Sequence, residues 1–154
     1  MGGGVVLGVD PSTRKLAYVV MGPRGQMVSR GSVIVKGKLA ADRFEELMAE
    51  MRQLICTPPL ARLVVIEGVP FVKNRKGAMA LATAVGGLQA VCVSFRVPYR
   101  IAPGHAWKTA LGLSGNANKD AIRAYAETEG PVDDTWGQDE VDAWCLAEYG
   151  RRVT

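Results

Sequence analysis

Three cysteines and one histidine are all that this chain of 154 residues offers as thiol and imidazole metal ligands. Cys56, Cys92 and Cys145 are odd in number and far apart, and each falls within an apolar helical pattern. That distribution argues against a disulfide framework or a zinc site and marks the three as core thiols. Long apolar runs are missing too, and none reaches the roughly 18–20 residues of a membrane span. The opening segment MGGGVVLGVD has neither the basic region nor the long apolar core of a secretion signal, so the chain is expected to stay inside the cell. There is no internal repeat and no low-complexity tract.

What is present describes one globular domain over residues 1–154. Hydrophobic residues make up 48% and charged residues 22%, enough to bury a core and too apolar for a disordered chain. The net charge is +4 and the pI about 9.1, with a basic cluster at Lys73 to Lys76 (KNRK) and Lys108 and Lys119 on either side of a glycine-containing loop. A basic rim around an acidic centre suits a polyanion held with bound cations, although a solvated surface gives the same counts.

The patterning predicts an α/β chain. VVLGV (Val5 to Val9), LAYVVM (Leu16 to Met21) and MVSRGSVIV (Met27 to Val35) read as three strands joined by short turns, hence an antiparallel meander. Leu39 to Cys56 carries apolar residues at helical spacing and ends at Thr-Pro-Pro. LVVIE (Leu63 to Glu67) reads as a doubly buried strand, placed parallel to the first by a right-handed crossover. A largely apolar helix over Gly77 to Phe95, a fifth strand at Pro98 to Ala102 and three further helices follow. The expectation is a mixed five-stranded sheet, a meander plus parallel strands, flanked by helices.

Four carboxylates stand out against that frame. Asp142 in QDEVDAWCLAEYG shares a helix face with Cys145, Leu146 and Tyr149, where a charge is costly unless something positive meets it. Asp139 lies one turn earlier on the same side. Asp10 sits just past the first strand and Glu67 ends the fourth, so both side chains belong at one sheet edge, where α/β folds place their sites. Each acid alone has an ordinary explanation: a turn for Asp10 before Pro11, an exposed strand end for Glu67, the helix macrodipole for Asp139, a salt bridge for Asp142. Together they would repel one another without a counter-charge. Two divalent cations, Mg²⁺ or Mn²⁺ on oxygen ligands, would balance them. Such a pair, roughly 3.5–4 Å apart, clamps the attacking and leaving oxygens of a phosphodiester displacement.

GVDPSTRKLAYVV, VVIEGVPFVKN, WKTALGLSGNANKD and QDEVDAWCLAEYG resemble, in order and across nearly the whole chain, the four motif segments of RuvC-type Holliday junction resolvases. These are dimeric endonucleases of the ribonuclease H-like superfamily. The resemblance implies that Asp10, Glu67, Asp139 and Asp142 bind two metal ions and that Lys108 and Lys119 lie near the scissile phosphate. It also implies resolution of four-way DNA junctions by symmetric paired nicks, a homodimer, and a cytoplasmic location at the nucleoid, or in the host cytoplasm for a viral gene. Ser12 stands where the family usually has glycine. Relatives present an aromatic near the junction centre from the loop after the glutamate, and Phe71 is its candidate here. Lys73, Arg75 and Lys76 are candidates for phosphate contacts that set position without reading bases. His105 is expected to be peripheral. The apolar helix after that loop, with Gly86 and Gly87, is a candidate dimer interface, with burial in the monomer core equally open. A ribonuclease H-like nuclease acting on other branched DNA or on RNA is the alternative, and an actin-like phosphotransferase or a non-catalytic junction-binding module are more distant ones.

Overall fold

A computed structural model of the chain describes residues 3–70 and 74–154. The elements run β1 (Val5–Pro11), β2 (Lys15–Met21), β3 (Met27–Ile34), α1 (Ala40–Cys56), β4 (Ala61–Glu67), α2 (Arg75–Ser94), β5 (Tyr99–Ala102), α3 (Gly104–Ala110), α4 (Lys119–Glu129) and α5 (Gln138–Arg152). One mixed sheet results, with strand order β3-β2-β1-β4-β5. The meander β1-β2-β3 is antiparallel, and β4 runs parallel to both β1 and β5.

Short turns force the meander. The Ser12 N–H donates to the Lys15 carbonyl at 2.8 Å, and the Gly25 N–H donates to the Gly22 carbonyl at 2.9 Å with Gly25 at φ +83°. The left-handed conformation at Gly25 is the one glycine adopts without steric cost. Ser12 has no such requirement, so serine serves in the first turn.

The sheet divides two apolar layers, and the period-2 alternation of its strands decides which side chain enters which. Val6, Val65 and Val19 join Trp107, Trp144 and Leu146 beneath α3, α4 and α5. Leu7, Val9, Val64 and Ile66 join Leu47, Met51 and Leu88 beneath α1 and α2. Two-sided burial explains why β1 and β4 read as continuous apolar runs.

One glycine fixes the seat of the last helix. A Cβ on Gly8 would lie 2.2 Å from the Ala143 carbonyl oxygen and 2.6 Å from the Ala147 nitrogen. Strand β1 and helix α5 therefore touch backbone to backbone, through Gly8 on one and Ala143 and Ala147 on the other.

The structure amends the sequence expectations at several points. Strand β1 continues to Pro11, so Asp10 belongs to the strand and not to the turn after it. Helix α2 begins at Arg75, capped by the Asn74 side chain, which accepts from the Gly77 N–H at 3.2 Å; Arg75 and Lys76 thus form its first turn. Cys92 and Cys145 are buried thiols, but Cys56 is exposed at the end of α1, where Thr57-Pro58-Pro59 turns the chain. Among the described residues α2 is long and apolar enough on average to cross a membrane by length and composition, although it holds no unbroken apolar run of that length. Small and polar residues such as Gly77, Thr83 and Gln89 break its apolar runs without lowering the average much. One side of α2, with Ala84, Val85, Leu88 and Cys92, packs on α1 and the sheet, while Met79 and Val93 are each 62% exposed on the other.

Candidate metal centre

The parallel register pairs Val9 of β1 with Ile66 of β4, so the next residues on each strand, Asp10 and Glu67, emerge as neighbours at one sheet edge. The backbone contact at Gly8 holds the first half of α5 over β1 and brings Asp142 to the same point. One carboxylate oxygen each from Asp10, Glu67 and Asp142 lie within 4.8 Å of one another.

Two of these acids, Asp10 and Asp142, resist ionisation. Burial, a hydrogen bond shared with Glu67, and the charges of Glu67, Asp142 and Asp139 push the Asp10 carboxyl far above the usual carboxylate range. Burial, followed by the charge of Glu67, raises Asp142 to about 6, against a hydrogen bond from the Gln138 amide at 3.1 Å and a smaller pull from Lys108. The cluster has oxygen donors only and an excess of negative charge, the donor chemistry of Mg²⁺ or Mn²⁺ rather than zinc. The residues fit such ions.

Asp139 takes a different course. It is the second residue of α5, on the helix face of Asp142, yet its Oδ2 accepts from Lys15 Nζ at 3.0 Å. It stands outside the three-acid group, while its charge still bears on Asp10 and Asp142.

The basic residues spread around this centre. Lys108, half-buried on α3, sits over the Trp107 ring at 5.6 Å and is close enough to act on Asp142. Lys119 is the exposed first residue of α4, behind the Asn118 cap, and no contact ties it to the acids. A cation there opposes the helix macrodipole, so helix stability does not explain it. Arg75 and Lys76 are exposed in the first turn of α2. His105 is exposed on α3, with its carbonyl accepting from Thr109. Phe71 and Lys73 lie outside the described residues.

Sequence reasoning missed three contributors. Trp107 is 1% exposed, and its indole N–H points to Glu67 Oε1 at 3.4 Å, a long hydrogen bond that orients the glutamate. A buried indole needs an acceptor, so a tryptophan beside Lys108 was the available signal. Gly8 reads as an interruption of a strand, a known mark of close backbone approach. Lys15 reads as an ordinary strand start and carried no signal.

Comparison with known proteins agrees with this geometry. Residues 6–147 match the family model described as crossover junction endodeoxyribonuclease RuvC. The protein of that name from Citrifermentans bemidjiense is 23% identical over 147 residues, covering 93% of this chain and 89% of the relative. The fold resembles that of Thermus thermophilus RuvC in complex with a Holliday junction substrate, with a TM-score of 0.83, 20% identity, and coverage of 99% and 98% of the two chains. It also resembles the yeast mitochondrial Holliday junction resolvase Ydc2, with a TM-score of 0.60, 12% identity, and coverage of 96% and 77%. With the family model spanning nearly the whole sequence and the acids gathered at one sheet edge, this chain belongs to the RuvC crossover junction endodeoxyribonuclease family.

Proposed function

We propose that this chain is a metal-dependent, structure-selective DNA endonuclease that resolves four-way junctions by symmetric paired nicks. The observation that carries the reading is the convergence of Asp10, Glu67 and Asp142 within 4.8 Å, in a chain of the RuvC family. Those three residues, with Asp139, would hold two ions, Mg²⁺ or Mn²⁺. When bound, the ions supply a Lewis-acid clamp on the attacking and leaving oxygens of the phosphodiester.

The chain's own groups do the rest. Asp10 reaches the site from the centre of the sheet and would be a carboxylate ligand of the bound metal. Trp107 holds Glu67 in orientation through its indole N–H. Lys108 offers an ammonium at the rim of the cluster, where it would neutralise charge on the phosphate oxygens, and Lys119 would do the same from the start of α4. Arg75 and Lys76, with Lys73, would grip phosphates and set the register of the junction arms, with Phe71 stacking near its centre. Products with a 3′-hydroxyl and a 5′-phosphate are expected.

Two equivalent strands need two sites related by a two-fold axis, which a homodimer provides. Helix α2 supports that assembly. Met79, Ala82, Gly86, Gln89 and Val93 recur at alternating spacings of three and four along its outward face, the spacing of a helix–helix seam. A Cβ on Gly86 would meet nothing within 4 Å, whereas one on Gly87 would meet Phe44 at 2.6 Å and the Met48 sulfur at 2.7 Å. Gly87 therefore serves packing within the chain and Gly86 lies on the open face. A second copy of α2 across the axis would cover that face and account for its hydropathy. The setting expected for such an enzyme is the cytoplasm, at the nucleoid or in the host of a viral gene.

Cleavage mapping with Mg²⁺ or Mn²⁺ tests the reading on a mobile four-way junction, flaps, duplex DNA and an RNA–DNA hybrid. Paired nicks at symmetric positions of the junction alone are expected. Preference for flaps or for RNA would move the chain to the alternative ribonuclease H-like activity, and cutting that survives Asp10→Asn would remove the metal centre from the reaction.

A further inference from the structure

Lys15 draws attention because its ammonium engages one of the four acids, and nothing in the proposed chemistry uses it. Its backbone is anchored: the Ser12 N–H donates to its carbonyl at 2.8 Å, and it pairs with Ile34 of the neighbouring strand. From that fixed root its Nζ reaches 3.0 Å from Asp139 Oδ2, joining the start of β2 to the first turn of α5. Asp139 is three residues before Asp142, a spacing that puts both on one helix face. Yet Asp142 joins Asp10 and Glu67 while Asp139 is held aside by Lys15. Among the described residues, this is the one salt bridge made by any of the four acids.

We infer that Lys15 is a positioning residue that competes with a second divalent cation for Asp139, and thereby sets how tightly that cation is held. The inference rests on the two-ion reading above. In the metal-free protein the ammonium supplies the positive charge that Asp139 needs. A cation approaching Asp139 must take the carboxylate from Lys15 or share it with a like charge nearby, and either weakens its binding. Both side chains are partly exposed, at 37% and 45%, so the exchange requires no repacking of the core. Among the described residues no salt bridge engages Asp10, Glu67 or Asp142, which would hold the first ion, and Lys108 acts on Asp142 only as a smaller, longer-range pull.

Calorimetric titration of the full chain with Mn²⁺ alone, without DNA, tests this, with free Mn²⁺ counted in parallel by electron paramagnetic resonance. The wild type is expected to take two ions with unequal affinities. Lys15→Met, which keeps the stem and removes the charge, should tighten the weaker step by roughly two- to fivefold, the span of an exposed ion pair, and leave the tighter step unchanged. Lys15→Arg should restore wild-type behaviour. In an Asp139→Asn background, Lys15→Met should leave the remaining ion unaffected. A merely structural role for Lys15 would move the melting temperature and not the weaker step, and Lys15→Gln provides a second neutral variant. An unchanged or weakened second step in both neutral variants overturns the inference and leaves the two-ion reading standing. A wild type that binds fewer than two Mn²⁺ overturns that reading and this inference with it.

Discussion

Helix α5 carries a carboxylate among apolar neighbours at each end, and the two fare oppositely. Glu148, near the C-terminus, is 5% exposed, and its oxygens accept from Arg151 and Arg152 at 2.7–2.8 Å. Burial alone would raise its pKa, but those guanidinium hydrogen bonds hold it below the usual value. Asp142, near the N-terminus, is raised to about 6 because burial and the charge of Glu67 outweigh the help of Gln138 and Lys108. One acid has its counter-charge in the protein and belongs to the architecture. The other has too little of it within the protein and, in the proposed function, would be completed by a bound cation. The lesson is that burial does not identify a functional acid; a deficit of positive charge does.

Neutralising each acid in turn separates their roles most strongly. Asp142→Asn should reduce junction cleavage on the order of a thousandfold, the scale of losing a charge-stabilising group at the reacting centre. It should also leave the melting temperature in chelator equal to or above that of the wild type, because a repelling charge is gone. Gel assays and thermal melts read the two effects. Glu148→Gln should do the reverse, costing about 1–3 kcal/mol in urea unfolding, as expected for three charge-assisted hydrogen bonds from two partly exposed arginines, with Mn²⁺ affinity unchanged. A Glu148→Gln protein that folds normally but loses Mn²⁺ would erase the distinction.

Trp107→Phe probes the partner of a neighbouring acid, Glu67. It keeps the buried ring and removes only the N–H that Glu67 accepts. Cleavage should fall about tenfold, the low end for partners that orient a ligand, because the bond is long. Single-turnover rates on a junction substrate would measure it.

The smallest expected effect is the pH dependence of the metal-free protein. Asp142 has a folded pKa above its ordinary 3.8, so its protonated form stabilises the fold, and that contribution is lost as pH rises through about 6. The same sign holds for Asp10. Glu148 has the opposite sign, its contribution being lost as pH falls below its ordinary range. In chelator, the gap in melting temperature between Asp142→Asn and the wild type should widen from about pH 5 to about pH 7, and added Mn²⁺ should narrow it.

Much of this arrangement is legible in residue order. Alternation and helical spacing predict the five strands and five helices, because burial on one face imposes a period of two or 3.6. The strand-helix-strand crossover predicts β4 beside β1, and so the adjacency of Asp10 and Glu67. Asp142 declares itself by sitting on its own apolar stripe. Other features are not local, and residue order does not reveal their partners. The pairing of Lys15 with Asp139 joins residues 124 positions apart. The indole of Trp107 and the carboxylate of Glu67 are 40 apart. Gly86 and Gly87 are adjacent and alike in sequence, but one faces open space and the other faces Phe44 and Met48.

Residue order is enough for the elements, their succession and the carboxylate on the apolar stripe of α5, because backbone sterics and hydrophobic periodicity act over a few residues. Tertiary structure decided which acids meet. The depth of α5 on β1 is set by backbone atoms of Gly8, Ala143 and Ala147 in contact, and carboxylate repulsion and lysine pairing change sharply over a few ångströms. Distances of that kind are fixed only when distant segments pack.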